Sequence, residues 1–255
     1  MGSFPSDNRA SVSRHKAARR DDPAKSLYDH ANRFFLSLAG RADDRDFFPS
    51  EKTESRRDRQ TLAQFIEIIE PDEADRISLK LLDEFGSIGR MLGASEAALH
   101  RVLAGNNAVL RLIKATEKFM VANLADDLPR TLISATDQRL VDYLRAKIGY
   151  RSTETMLILF LDSANRLLID QEFGEGSPRR IFVQPRTILK RALELDASGM
   201  ILVHNHPGGN ALPSKKDIEF TRSINALCSE LEICLHDHII ISSDHWVSFR
   251  KLKII

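Results

Sequence analysis

Residues 199–217 read GMILVHNHPGGNALPSKKD. Met200 to Val203 form an apolar run, as in a strand buried on both faces. Pro207, Gly208 and Gly209 then turn the chain. Pro213 and Ser214 open a helix, with Ser214 in the N-cap position. A strand, a tight turn and a helix start follow one another within 19 residues, which is the signature of a mixed α/β layer. Along a strand, residues i and i+2 share a face. His204 and His206 therefore present two imidazoles to one point, in a chain that holds only 8 histidines in 255 residues.

Asp217 lies three residues beyond Ser214, in the first turn of the helix and on the same side. Two imidazoles, a carboxylate and a hydroxyl can converge there. Two His and one carboxylate is a ligand count used by catalytic zinc, the fourth position being left to water. The helix N-terminus favours the ionised carboxylate that a ligand requires. The bland alternative is that Ser-x-x-Asp is only a capping box and His-x-His a chance pair in a turn. A second pair, His236 and His238, also falls on a strand. It could supply ligands, hydrogen bonds behind the ligands, or core packing. Cys228 and Cys234 read as core residues, because six positions across a helix–strand junction is not a metal-knuckle spacing.

Outward from this centre, the composition is that of a soluble, core-forming chain, with 42% hydrophobic and 29% charged residues. The net charge of +1 gives no overall field toward nucleic acid or membrane. Two cysteines outside any CxxC exclude a disulfide scaffold and fit a reducing compartment. No apolar run approaches a membrane span, and no signal-peptide stretch is evident, so a cytoplasmic bacterial protein without membrane contact is expected.

Residues 1–24 read as a disordered basic tail and 40–59 as a long exposed loop. A helical module is expected over 25–125, with clear periodicity from about 60: Leu62, Phe65, Ile66 and Ile69, then Ile77, Leu81, Leu82 and Phe85, stopped by Gly86. Residues 126–134 read as a linker. One further helix is expected from Asp137 to Ile148. The pattern then changes to strands: 154–162, a hairpin partner from 166, 199–206, 233–242 and 246–250, with helices at 186–197 and 214–232. The fold class is α/β (α+β), a mixed sheet with flanking helices over 135–255, preceded by a small all-helical domain.

His-x-His, seven residues, then Ser-x-x-Asp resembles the JAMM/MPN+ metalloprotease motif. The flanking text is closer to the bacterial RadC family: LFLDSANRLL (159–168), PRTILKRALELDASGMILVHNHPGG (185–209), PSKKDIEFT (213–221) and HDHIII (236–241). The resemblance covers about 130–255 strongly. It extends weakly through the helical part, where residues 81–105 are similar to a degenerate helix-hairpin-helix module.

The resemblance implies a cytidine-deaminase-like sheet and one zinc per chain, held by His204, His206 and Asp217. It also implies metal-assisted hydrolysis of an amide or isopeptide bond in a peptide or protein. The family's glutamate, at the mouth of the first strand, corresponds to Glu154, with Glu172 and Glu175 as competing acids. Glu154 would move the water's proton, and Ser214 would donate to the developing oxyanion. Asn205, facing the other way, would order the loop. The alternative implied is a non-catalytic DNA-associated module in repair or recombination, working through the helical domain. Here the chain departs from the family: relatives carry a Gly-Ile-Gly hairpin, and this sequence has Gly105-Asn106-Asn107. That loss weakens the case for phosphate contacts.

Overall fold

The computed structural model describes residues 51–128, 130, 137–175 and 183–255. The basic tail, the start of the loop expected at 40–59 and most of the expected linker lie outside them. Among the described residues, five helices come first: α1 (Glu51–Glu67), α2 (Ala74–Phe85), α3 (Ile88–Leu92), α4 (Glu96–Leu103) and α5 (Asn107–Asp126). Residues 51–59 are thus helical rather than looped. Glu, Lys and Arg are good helix formers, but EKTESRRDR holds no apolar residue, so no apolar period marks those first turns.

Side chains cap the helices where the sequence suggests. Ser95 Oγ accepts from Ala98 N at 3.2 Å. Gly86 ends α2 at φ 79°, a left-handed turn that glycine adopts without a Cβ penalty. The core of this part gathers Leu62, Ile66, Leu81, Met91, Leu99 and Ile113.

α5 serves two cores. Its first half places Val109 and Ile113 among the other helices. Its second half lays Val121, Leu124 and Ala125 against the sheet. α6 (Gln138–Leu144) covers the same sheet face and runs into a π-helical turn (Arg145–Gly149) rather than continuing as one helix.

The helical part is seated against Tyr150, just past this turn, through Gly89 and Gly93. A Cβ at Gly93 would stand 2.8 Å from Tyr150 Cβ and 3.0 Å from its carbonyl carbon and oxygen. Backbone cannot swing aside as a ring end can. Gly93→Ala is therefore expected to cost about 1–3 kcal/mol by overpacking. Urea unfolding checks this, and an unchanged midpoint would contradict it.

The sheet is built from β1 (Thr155–Leu161), β2 (Leu167–Glu175), β3 (Gly199–Asn205), β4 (Cys234–Ile241) and β5 (Trp246–Ser248), in the order β2-β1-β3-β4-β5. Every pair is antiparallel except β3–β4, which is parallel. A parallel pair needs a crossover, and α8 (Lys215–Glu230) provides it, with α7 (Pro185–Glu194) beside it. All seven residues of β1 and all seven of β3 are buried, which is why Met156–Leu161 and Met200–Val203 read as unbroken apolar runs.

Alternation divides the side chains between two faces. Leu157, Leu159, Ile201 and Val203 lie under α6 and the end of α5. Met156, Ile158, Met200 and Leu202 lie under α7 and α8. Cys228 is buried among the latter, but Cys234 is exposed. It opens β4 at the strand's mouth, where the chain has only begun to enter the sheet, so the expected core role fails for that residue.

Candidate metal centre

His204 stands on the α7/α8 face of β3, opposite Met156 of β1. His206 follows just past the strand end, with its backbone N–H donating to Ile241 O at 2.9 Å. The chain then folds back, Gly209 N donating to His206 O at 3.2 Å with Gly209 at φ 80°. Only glycine takes that conformation cheaply. The turn brings the Asn210 carbonyl 2.8 Å from His206 Nδ1. α8 begins with a complete capping box: Ser214 Oγ accepts from Asp217 N at 3.2 Å, and Asp217 Oδ2 accepts from Ser214 N at 2.7 Å.

The bland and the functional readings of Ser-x-x-Asp therefore coexist. The cap fixes the carboxylate, and Asp217 also faces both rings. His204 Nε2 and His206 Nε2 are 3.0 Å apart. Asp217 Oδ1 is 3.5 Å from the first and Oδ2 is 3.7 Å from the second. One ligand atom from each of the three residues lies within 4.8 Å of the others, a group that could hold a metal ion.

The donor chemistry fits a cation. A carbonyl can only accept, so the Asn210 contact places the His206 proton on Nδ1 and leaves Nε2 as a bare lone pair. Burial depresses the His204 pKa to about 4, against a smaller upward pull from Asp217. At pH 7 its approach to Asp217 is therefore not an ion pair. Electron-rich atoms are held together, an arrangement that a divalent ion relieves. A tetrahedral zinc with ligands at about 2.0–2.2 Å spaces its donors roughly 3.3–3.6 Å apart. The contacts of 3.0, 3.5 and 3.7 Å bracket that spacing. Among the described residues, no fourth His, Cys, Asp or Glu joins the group.

The same burial makes metal-free stability depend on pH. His204 has a folded pKa near 4, and His238 is pushed well below its ordinary value of 6.5, in both cases chiefly by burial. The unfolded chain binds more protons between about pH 6.5 and 4, so stability falls on acidification through that window. His204 alone is expected to lose about 2 kcal/mol between pH 7 and pH 5, with His238 adding in the same direction. Urea unfolding of the chelator-treated chain measures it, and equal stability at the two pH values would contradict it.

Glu154 precedes β1 and lines a cavity of about 260 Å³ with His204, Asp217 and His238. Met156, Val183, Pro185 and Phe220 form its apolar wall, and Lys216 stands at the rim. Glu172 is elsewhere, held by Arg151 in a two-pronged pair at 2.6 and 2.8 Å. The side chain of Glu175 lies outside the described residues. Ser214 is occupied as a cap, but only its lone pair is used. Its hydroxyl proton has no acceptor among the described residues, and Ser214 does not line the cavity.

Asn205, between the two ligand candidates, is fully buried. Its Oδ1 accepts from Thr155 N at 2.7 Å, and its Nδ2 donates to the carbonyls of Arg151 and Thr153 at 3.2 and 3.1 Å. It thus ties down the segment carrying Glu154, not the Pro-Gly-Gly turn. The HDH pair separates. A bulge leaves His236 without a partner on β3, since Met200 pairs with Leu235 and Ile201 with Asp237. His236 packs over Gly199 at the far end of β3. His238 reaches the site, its Nε2 standing 2.8 Å from His204 Nδ1.

In the helical part, Ala104 and Gly105 turn left-handed at φ 49° and 87°. Asn106 caps α5, with Oδ1 accepting from Val109 N at 3.1 Å and Nδ2 donating to Glu70 Oε1 at 3.0 Å. The turn thus persists without its second glycine. It sets a carboxylate at the start of α5, which opposes an anion there.

The model of the RadC-like JAB domain family matches residues 134–254, the span that holds the mixed sheet and this His-His-Asp group. A UPF0758 protein of Rhodobacter capsulatus is 38% identical over 174 residues, spanning 68% of this chain and 81% of that protein. Another, from Ruegeria pomeroyi, is 40% identical over 173 residues, spanning 67% and 76%. The chain belongs to the RadC (UPF0758) family. Among the described residues, no helix is long and apolar enough to cross a membrane.

Proposed function

We propose that this chain is a zinc-dependent hydrolase of peptide or isopeptide bonds. The observation that carries the reading is the open three-donor group beside a cavity that also holds a carboxylate. His204, His206 and Asp217 would hold the ion. When bound, it supplies Lewis acidity and brings the pKa of water toward neutrality. Glu154 takes a proton from the attacking water and returns it to the leaving amine. Ser214, whose hydroxyl proton is uncommitted, donates to the carbonyl oxygen as it becomes anionic. Asn205 keeps the Glu154 segment in place, and the apolar wall of Met156, Val183, Pro185 and Phe220 shields the reacting amide from bulk water.

A mass-spectrometric screen of peptides and isopeptide-linked pairs tests this. The expected products sum to substrate plus one water, vanish with a chelator and return with zinc. Full zinc loading without hydrolysis of any peptide or isopeptide would overturn the proposal.

A further inference from the structure

Behind His204 lies a run of hydrogen bonds whose direction can be worked out atom by atom. His204 Nδ1 is 2.8 Å from His238 Nε2. His238 Nδ1 is 2.5 Å from Thr221 Oγ1, and Thr221 Oγ1 is 2.5 Å from the backbone carbonyl oxygen of Asp217. His238 and Thr221 are both fully buried. The carbonyl can only accept, so the single Thr221 hydroxyl proton goes to it. The Thr221–His238 contact then needs a proton on His238 Nδ1. A neutral imidazole has one N–H, so His238 Nε2 is an acceptor and the proton between the two rings sits on His204 Nδ1. His204 Nε2 is left bare, and it is the atom that faces His206 and Asp217. The run starts at one ligand candidate and ends on the backbone of another, because Thr221 lies one helical turn beyond Asp217 on α8.

We propose that Thr221 and His238 are positioning residues that act as a one-way hydrogen-bond relay, fixing His204 in the tautomer whose Nε2 lone pair points into the metal centre. The relay needs neither metal nor substrate. Only its consequence for zinc affinity rests on the function proposed above. Without the Thr221 hydroxyl, His238 is free to carry its proton on Nε2 and donate to His204. The His204 proton then moves to Nε2 and blocks the donor atom.

Long-range ¹H–¹⁵N correlation spectra of the metal-free chain near pH 7.5 read both tautomers directly. Protons on Nδ1 of His204 and His238 are expected, and a proton on His204 Nε2 would overturn the relay. Thr221→Val keeps the shape and removes the hydroxyl, and Thr221→Ser restores it. Thr221→Val is expected to shift the His238 tautomer and weaken zinc binding about 10- to 100-fold, the range for partners behind a ligand, and Thr221→Ser is expected to rescue both. Equal zinc affinity in folded Thr221→Val and Thr221→Ser would overturn the proposal. Should Thr221→Val fail to fold, the wild-type spectrum still decides the matter, whether or not hydrolysis is ever detected.

Discussion

Replacing His204 by alanine is expected to abolish stoichiometric zinc binding. The side chain contributes one of three converging donors and stands within 3.0 Å of His206 Nε2 and 3.5 Å of Asp217. With it gone, two donors remain, and two are too few to compete with water for the ion. An affinity loss of about three orders of magnitude is expected, beyond the 10- to 100-fold that follows loss of a supporting hydrogen bond. Ligand-linked stability gives a second readout. Zinc at a thousand times its dissociation constant stabilises a folded chain by about 4 kcal/mol, so wild type should show a large zinc-dependent rise in Tm and His204→Ala none. Asp217→Asn completes the test. It keeps an oxygen to accept from Ser214 N, preserving much of the cap, while removing the charge. It should fold with near-normal stability and hold zinc poorly. Unchanged zinc stoichiometry in both variants would contradict the assignment.

Glu154→Gln should show the opposite pattern: zinc retained, turnover lost. Glu154 lines the cavity with His204 and Asp217 but is not one of the three clustered donors. Extending the pairing of Met156 with His204 places residue 154 beside residue 206 on the same sheet face. Its segment is pinned through Asn205 to the strand that carries His204 and leads into His206. Glutamine keeps the shape and cannot take a proton. A loss of about 10²- to 10⁴-fold in kcat is expected, the usual worth of a general acid–base. A zinc-loaded Glu154→Gln protein with wild-type turnover would remove Glu154 from the mechanism.

Local order along the chain made much of this legible. The strands of the central sheet read directly because burial on both faces leaves unbroken apolar runs at 156–161 and 200–203. The ligand candidates read from two local periodicities, i and i+2 on a strand and N-cap to N3 on a helix. Relations across long separations did not show. His238 was visible as half of an HDH pair, but a bulge, which no alternation pattern announces, sends His236 to the far end of β3. Thr221 looked like any threonine on a helix. Its role depends on a strand 17 positions further along the chain. Residues 51–59 carried no apolar stripe, because EKTESRRDR holds no apolar residue to show one. α5 gave no sign that its two halves face two cores, since both halves are simply amphipathic.

The most direct measurement is anomalous scattering at the zinc edge from crystals of the zinc-loaded chain. One zinc per chain is expected, within about 2.0–2.2 Å of His204 Nε2, His206 Nε2 and one carboxylate oxygen of Asp217. A zinc bound elsewhere, or an Asp217 carboxylate more than about 3 Å from the ion, would contradict it.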